Sequence, residues 1–469
     1  MSQDLAVVFA IETTVRELDS RLVLAALHAR RGHRIFIVGG PAGQRMAREL
    51  EGGVFVGKHV IHPTALNPQA YFAAKRNGFI VVHLAEEGGI FMGNEPDWMW
   101  DLDDQLIPSL LAPEDYVCTW GDFQRDYYRS KGAPNPENIR TTGHPRFDMY
   151  KTSLRRFYED EAAALRKQHG NFVLWCSNFG LANDPEGPFN TFSKPLGYDP
   201  TDDETRRRFI GRWSHQSRTF AEFIELFHKL SLQRRDVNFI VRPHPSDNVD
   251  FFRYAFAGVD NVKVIAQGHV APWLLAARAM LHDGCTTGLE AHLLGCPIVN
   301  FRPLVGTAHD YFLPNLFGTH TNTQAAAIEA VEASLDRPRD AQATGSADLP
   351  ERAHKIFANF RHDSVDRFFT VLREAEGVAR QRPRETNRRR LVVNEVRAIA
   401  TEGSKQLLRR AFFRDRYRTA LHNRQRFPGF DRAAIGKKLA KLRELTGNPL
   451  ECRFYSSNIL ELTSTRPAE

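Results

Sequence analysis

The sequence predicts a doubly wound α/β protein built from two units, followed by a basic helical extension. Three observations predict it. Short apolar runs alternate with stretches of helical spacing between residues 5 and 301, the pattern of parallel strands joined by helices. The chain has 469 residues, too many for one ordinary core. The charge is also uneven: residues 380–443 hold 20 Lys and Arg against 5 Asp and Glu, a balance of +15. The remainder holds 43 against 51, a balance of −8, so an acidic body carries a strongly basic segment with its own surface to meet.

"LAVVFAI" (5–11) reads as a buried parallel strand. Residues 17–33 have helical spacing and end at Gly32, a C′ glycine. Strands come next at 34–40, 54–57, 79–85 and 116–121, with a helix at about 67–77, and "RTTGHPRFD" (140–148) leaves the first unit. A charged helix (about 154–169) leads to the strand 171–180. A polar stretch with Pro and Gly (181–204) reads as a long loop, and a helix (212–233) precedes strands at 238–247, 262–266, 279–284 and 297–301. Residues 324–336 and 350–376 read as helices. The expected domains are 1–150, 151–376 and a basic helical tail at 377–469, with apolar residues such as Val392, Val396 and Leu407 among arginines. Two such units side by side form a cleft at the C-terminal ends of their strands, where ligands bind in open α/β sheets.

Composition excludes several classes. With 42% hydrophobic and 25% charged residues, this is the make-up of a soluble globular protein. No apolar run approaches the ~20 residues of a membrane helix. The start "MSQDLAVVFAIETT" lacks a basic n-region, which predicts a cytoplasmic protein. The five cysteines form no C-x-x-C pair and their odd number argues against a disulfide framework. His62, His83 and His282 lack metal-ligand spacing, so neither metal nor cofactor is expected. There is no G-x-G-x-x-G and no Walker loop. Trp98 and Trp100 read as packing residues or an aromatic wall.

Three motifs fall at strand ends. Glu86-Glu87-Gly88 leaves the strand 79–85, and Gly88 and Gly89 permit a turn with positive φ. A carboxylate there can take a proton from an attacking hydroxyl, or can simply be an exposed acidic turn. Arg242-Pro243-His244-Pro245 comes directly after "FIV"; the prolines make His244 rigid, so that its imidazole can donate to a phosphate while Arg242 adds charge. In "HDGCTTGLEAHLLGCPIVNF" (282–301), Gly284 ends a strand and Thr286-Thr287 open a helix whose start suits an anion. Thr287-x-x-Glu290 also matches a capping box that needs no ligand, and Glu290 could instead bond ribose hydroxyls.

In order and position these motifs resemble those of bacterial sialyltransferases and Kdo transferases of the two-domain GT-B fold, with their D/E-D/E-G, H-P and Ser/Thr-pair motifs. "TTGHPRFD" also resembles the end of the first domain in capsule and teichoic-acid transferases. The resemblance covers about 5–375. It implies two Rossmann-like domains, an acceptor domain and a nucleotide-sugar donor domain, and an inverting, metal-independent transfer in bacterial surface-polysaccharide synthesis. It implies Glu86 as the base on the acceptor hydroxyl, supported by Glu87, and His244 on the donor phosphate. Arg242, Pro243, Pro245, Ser177, Asn178, Thr286, Thr287 and Glu290 join His244 in the donor set. The implied donor is a CMP-linked acidic sugar, Kdo or a nonulosonic acid, and the acceptor a glycan or lipid-linked glycan, with the basic segment resting on an anionic inner membrane. CDP-glycerol polyol-phosphate transferases and UDP-sugar epimerases share the layout. The sequence departs from the pattern in having Glu rather than Asp first in the acidic pair and in its tail beyond 380. A scaffold that has lost catalysis, or a nucleic-acid-binding protein using the arginine-rich tail, is the reading from another class.

Overall fold

A computed structural model describes residues 5–39, 42, 45, 46, 50, 52–58, 69–193, 197–306, 308–337, 349–380, 393, 396–398, 400, 401, 404, 405 and 426–465. The chain forms two compact units, one of residues 1–89, 99–149 and 350–469, the other of residues 90–98 and 150–349.

In the first unit, β1 (Ala6–Ile11), β2 (Arg34–Gly39), β3 (Gly53–Gly57), β4 (Phe79–Leu84), β5 (Tyr116–Thr119) and β6 (Ile139–Thr141) run parallel in the order β2-β1-β3-β4-β5-β6. The central strands are buried almost throughout, because helices cover both faces of a parallel sheet. In the second unit, β7 (Phe172–Cys176), β8 (Asn238–Arg242), β9 (Val262–Val264), β10 (Ala279–His282), β11 (Ile298–Phe301) and β12 (Thr319–Thr321) run parallel in the order β12-β11-β10-β7-β8-β9. Its core is aromatic: Trp175 of β7 stacks on Phe223 (5.3 Å) and meets Phe252 edge-on. The expected α/β class is what the protein has, with a wholly parallel second sheet and a first sheet whose six strands named above run parallel.

The differences have local causes. The first helix is Thr14–His28, then a 3-10 turn (Ala29–Arg31) closes at Gly32 with φ 75°, so the predicted glycine ends the turn rather than the helix. The helix expected from 212 begins at Asp203, where the Asp202 side chain accepts from the Thr205 N–H (2.9 Å); its arginine-rich first turns hide the apolar period. The expected helix 350–376 is broken into Glu351–Ile356, a 3-10 turn (Ala358–Phe360) and Ser364–Arg380. It belongs to the first unit, where the Asp148 carboxylate accepts from the N–H groups of Ser364 (2.6 Å) and Val365 (2.8 Å).

Residues 381–392 and 406–425 of the basic segment lie outside the described residues. From residue 426 onward the chain is neither a separate module nor helical throughout. Helix Arg432–Thr446 lies on helix Thr14–His28, with Lys438 paired to Asp19 (2.9 Å). Then β13 (Leu450–Phe454) and β14 (Ile459–Ser464) form an antiparallel hairpin, and β14 pairs antiparallel with β2. Buried Ile459, Leu460 and Leu462 supply the apolar residues for a strand, and Glu461 is tied to Arg34. Among the described residues no helix is long and apolar enough to cross a membrane.

Two candidate sites at the carboxyl ends of the strands

The acidic pair divides as soon as it leaves β4. Glu86 is 2% exposed, whereas the Glu87 side chain is 58% exposed and accepts from Arg16 Nη1. Around Glu86 three residues distant in sequence converge. Arg21 Nη2 donates to Oε1 and Arg146 Nη1 to Oε2 (3.1 Å), while His144 Nε2 lies 3.4 Å from Oε2. The backbone N–H of Arg146 donates to His144 Nδ1 (3.1 Å), so the neutral ring carries its hydrogen on Nε2, aimed at the carboxylate. Burial alone would raise the Glu86 carboxyl. The His144 imidazole and the Arg21 and Arg146 guanidiniums outweigh burial and hold it well below the usual range. His144 is pushed down to about 4, mainly by burial, with Glu86 opposing.

This arrangement corrects the role expected of Glu86. A general base must reach the hydroxyl it deprotonates and titrate near working pH. Glu86 is enclosed and its low proton affinity makes it a poor base; it serves as the counter-ion that fixes two arginines. Of the pair, only Glu87 is reachable.

Gly88 and Gly89 are needed for a different reason from the one expected. Neither has positive φ among the described glycines. A Cβ on Gly88 would fall 2.7 Å from Gln124 Oε1 and 2.8 Å from Trp120 Cδ1, and one on Gly89 would fall 2.8 Å from Trp120 Cε3. The indole must come this close because Trp120 Nε1 donates to the Ala85 carbonyl (2.7 Å). Gly284 does adopt positive φ (139°), under the Tyr311 ring.

In the second sheet the strand order reverses between β7 and β10: β8 and β9 lie to one side of β7, and β10 to β12 to the other. Ligands of open α/β sheets bind outside the carboxyl ends at such a switch point. Three predicted groups meet there. Ser177, after β7, donates its hydroxyl to Asp247 Oδ2, and Asp247 also accepts from the N–H groups of His244 (3.0 Å) and Phe179 (3.2 Å). The Ser246 N–H donates to His244 Nδ1 (3.1 Å), which puts the hydrogen of the neutral ring on Nε2. Pro243 and Pro245 flank that half-buried ring, and Asn178 is half-buried beside Ser177. After β10 comes Asp283, whose carboxyl is pushed up by burial first and then by the charge of nearby Asp247.

Helix Thr286–Leu294 starts with Cys285 at its cap position and no side-chain cap. The capping box expected of Thr287 and Glu290 therefore does not form. Thr287 is the second helical residue, and Glu290 is buried one turn on. Thr286 and Thr287 are half-buried at this helix start, where the Gly288 N–H donates to the Cys285 carbonyl (3.0 Å).

Arg242 is a second correction. Its guanidinium donates to the carbonyls of Ile265 (3.0 Å), Gln267 and Gly268 (2.6 Å) and lies over the Trp273 ring (5.2 Å). Spent on the loop that follows β9, it shapes the site rather than contributing charge to a phosphate. Sequence reasoning passed over two residues. Asp247 is buried and Asp283 half-buried with its Oδ1 enclosed, and both are pushed up to about 7, principally by desolvation of the carboxyl. The signal was there, in "HPSD" and in an Asp-Gly at a strand end, but burial could not be read from it. Among the described residues, three metal-ligating side chains converge only at His28, His33 and Glu376, not at either strand-end site. All five cysteines are free, and His62 lies outside the described residues. Trp98 is buried and stacks on Phe91 (5.4 Å), which makes it a packing residue, while Trp100 is exposed.

No family model and no curated protein matches the chain. Solved structures similar to it include a UDP-GlcNAc 2-epimerase from Methanocaldococcus jannaschii in complex with UDP-GlcNAc and UDP, at 13% identity and a TM-score of 0.45, covering 79% of this chain and 99% of that one. A glycosyltransferase from Rickettsia africae matches at 8% identity and 0.38, covering 81% and 98%. A wall teichoic acid polymerase matches at 10% and 0.39, covering 80% and 89%.

Proposed function

We propose that the chain is a glycosyltransferase of the GT-B type that transfers a sugar from a nucleotide-linked donor during bacterial surface-polysaccharide synthesis. The observation that carries this reading is the cluster at the switch point of the second sheet. There a rigid histidine with Nε2–H, two threonines and an uncapped helix start share one edge. These are donors for the oxygens of a phosphate. Negative charge grows on that phosphate as the glycosidic bond breaks, and fixed donors stabilise it most at that point. Ser177 and Asp247 hold the His244 loop in place. On the acceptor side Glu87 takes the proton, and Glu86 fixes Arg21 and Arg146 behind it. The order of the three motifs supports a CMP-linked acidic sugar as donor, and the basic segment 380–443 supports a resting place on anionic lipid.

Calorimetry with CMP, CDP and UDP on the full chain tests the donor site. CMP binding is expected, weakened at least about tenfold in His244→Ala, a loss of about 1.4 kcal/mol. Equal nucleotide binding by both proteins overturns the assignment, and tight CDP binding with consumption of CDP-glycerol replaces the donor with a polyol phosphate. With a CMP-sugar, Glu87→Gln is expected to lower kcat about 100-fold or more.

A further inference from the structure

At the amino end of β2 in the first unit, three side chains from three segments come together. His28 is the last residue of helix Thr14–His28, His33 immediately precedes β2, and Glu376 lies in the last turns of helix Ser364–Arg380. All three are buried, at 2%, 1% and 1% exposure, and their ligand atoms lie within 4.8 Å of one another. We propose that these three residues bind a divalent transition-metal ion, of which Zn(II) is the natural occupant.

The donor set fits. Two imidazole nitrogens and one carboxylate oxygen are ligands of Zn(II), and a tetrahedral ion about 2.0–2.1 Å from each holds neighbouring ligand atoms about 3.3 Å apart. His33 Nε2 and Glu376 Oε2 are 3.3 Å apart, and His28 Nε2 contacts the other carboxylate oxygen. Glu376 Oε2 is buried without a hydrogen-bond partner, and so is His33 Nδ1.

The surrounding charges agree with a cation held by a carboxylate. His28 stands at the C-terminal, negative end of its helix. Phe369 packs against the His28 ring (5.2 Å) and fixes its plane. Two cations lie nearby. Arg31 Nε is 3.6 Å from Glu376 Oε2, a distance suited to an outer partner of a ligating carboxylate. Arg380 Nη2 is 3.1 Å from His33 Nε2. If that nitrogen accepts from Arg380 it has no hydrogen for Glu376, and two lone pairs then face each other across 3.3 Å. An ion between them removes the conflict; it would take the place of the Arg380 contact, with the exposed Arg380 side chain turned outward and water in the fourth position.

The site would pin residues 364–380 to the start of the sheet, so metal loading reads out as thermal stability independently of donor binding. The test uses the full chain purified without chelator. Elemental analysis is expected to find about one Zn per chain, and dialysis against EDTA to lower Tm, with ZnCl2 restoring it. CoCl2 added to the stripped protein is expected to give the visible bands of four-coordinate Co(II), lost in His33→Ala and in Glu376→Gln. Absence of metal together with a Tm indifferent to EDTA and ZnCl2 overturns the proposal. So does Co(II) binding retained by folded variants. If the variants do not fold, the wild-type Tm and metal content decide alone.

Discussion

Glu86 in the first unit and Asp283 in the second are both carboxyls at the end of a parallel strand, yet their proton affinities move in opposite directions. Glu86 sits among two arginines and a histidine and is held well below its ordinary range. Asp283, with buried Asp247 as its charged neighbour, is pushed up to about 7. Burial penalises charge in both cases; the cation partners decide whether the penalty is met. One strand end thus keeps a permanent anion. The other carries two groups that change charge near neutral pH, beside the donors proposed to hold a phosphate.

The largest expected effect breaks the anion's cage. Arg21→Ala leaves Glu86 buried beside a missing cation, and chemical denaturation should record a loss of about 3–5 kcal/mol. A near-neutral result would mean Glu86 is not the ionised centre described. Next comes pH. Asp283 binds its proton more tightly folded than unfolded, where its ordinary value is 3.8. Its stabilising contribution is therefore complete below about pH 4 and is lost as pH rises through about 7. Glu86 behaves inversely: its contribution is complete above its ordinary 4.5 and is lost only in stronger acid. Asp283→Asn should flatten the fall in stability between pH 5 and 8 by about 2–3 kcal/mol, read from denaturation midpoints. Asp283 Oδ1 has no hydrogen-bond partner, so the amide loses no acceptor bond there. An unchanged pH profile would show that the two strand ends do not differ as described.

Gly88→Ala sharpens the comparison by steric means. The added methyl meets Trp120 and Gln124 and should cost about 1–3 kcal/mol, seen as a lower Tm, without changing the pH profile. The smallest effect is the control: Arg140 and Glu374 form a half-exposed pair (2.8 Å), and Glu374→Ala should change stability by less than about 0.5 kcal/mol.

Most of the architecture was legible because strands and helices write their periods locally. Helix Gln324–Asp336 matched at both ends, since Thr323 caps it by accepting from the Ala326 N–H (3.2 Å). The site was legible as places, not as roles. Glu86 stood out as a carboxylate leaving a strand, but its partners lie 65 and 60 residues away, brought together by strand order and not by any local signal. Arg242 read as a phosphate ligand because three carbonyls in the loop 265–268 carry no sequence mark. Thr287 looked like a cap because Ser and Thr are favoured there, yet the cap position is Cys285, two residues earlier. The hairpin at 450–464 was masked by the basic residues before it, whose composition dominated the reading of the tail.

That hairpin also sets a timetable for the chain's birth. The edge of β2 is covered by β14, and the hairpin begins about 400 residues after β2 ends. At ribosomal speeds of roughly 5–20 residues per second, the nascent first sheet waits about 20–80 s with that edge open. An open strand edge is a template for pairing with another chain. Ribosomes stalled before residue 450 should therefore release products that aggregate or remain bound to chaperones, even though every parallel strand of both sheets has already been made.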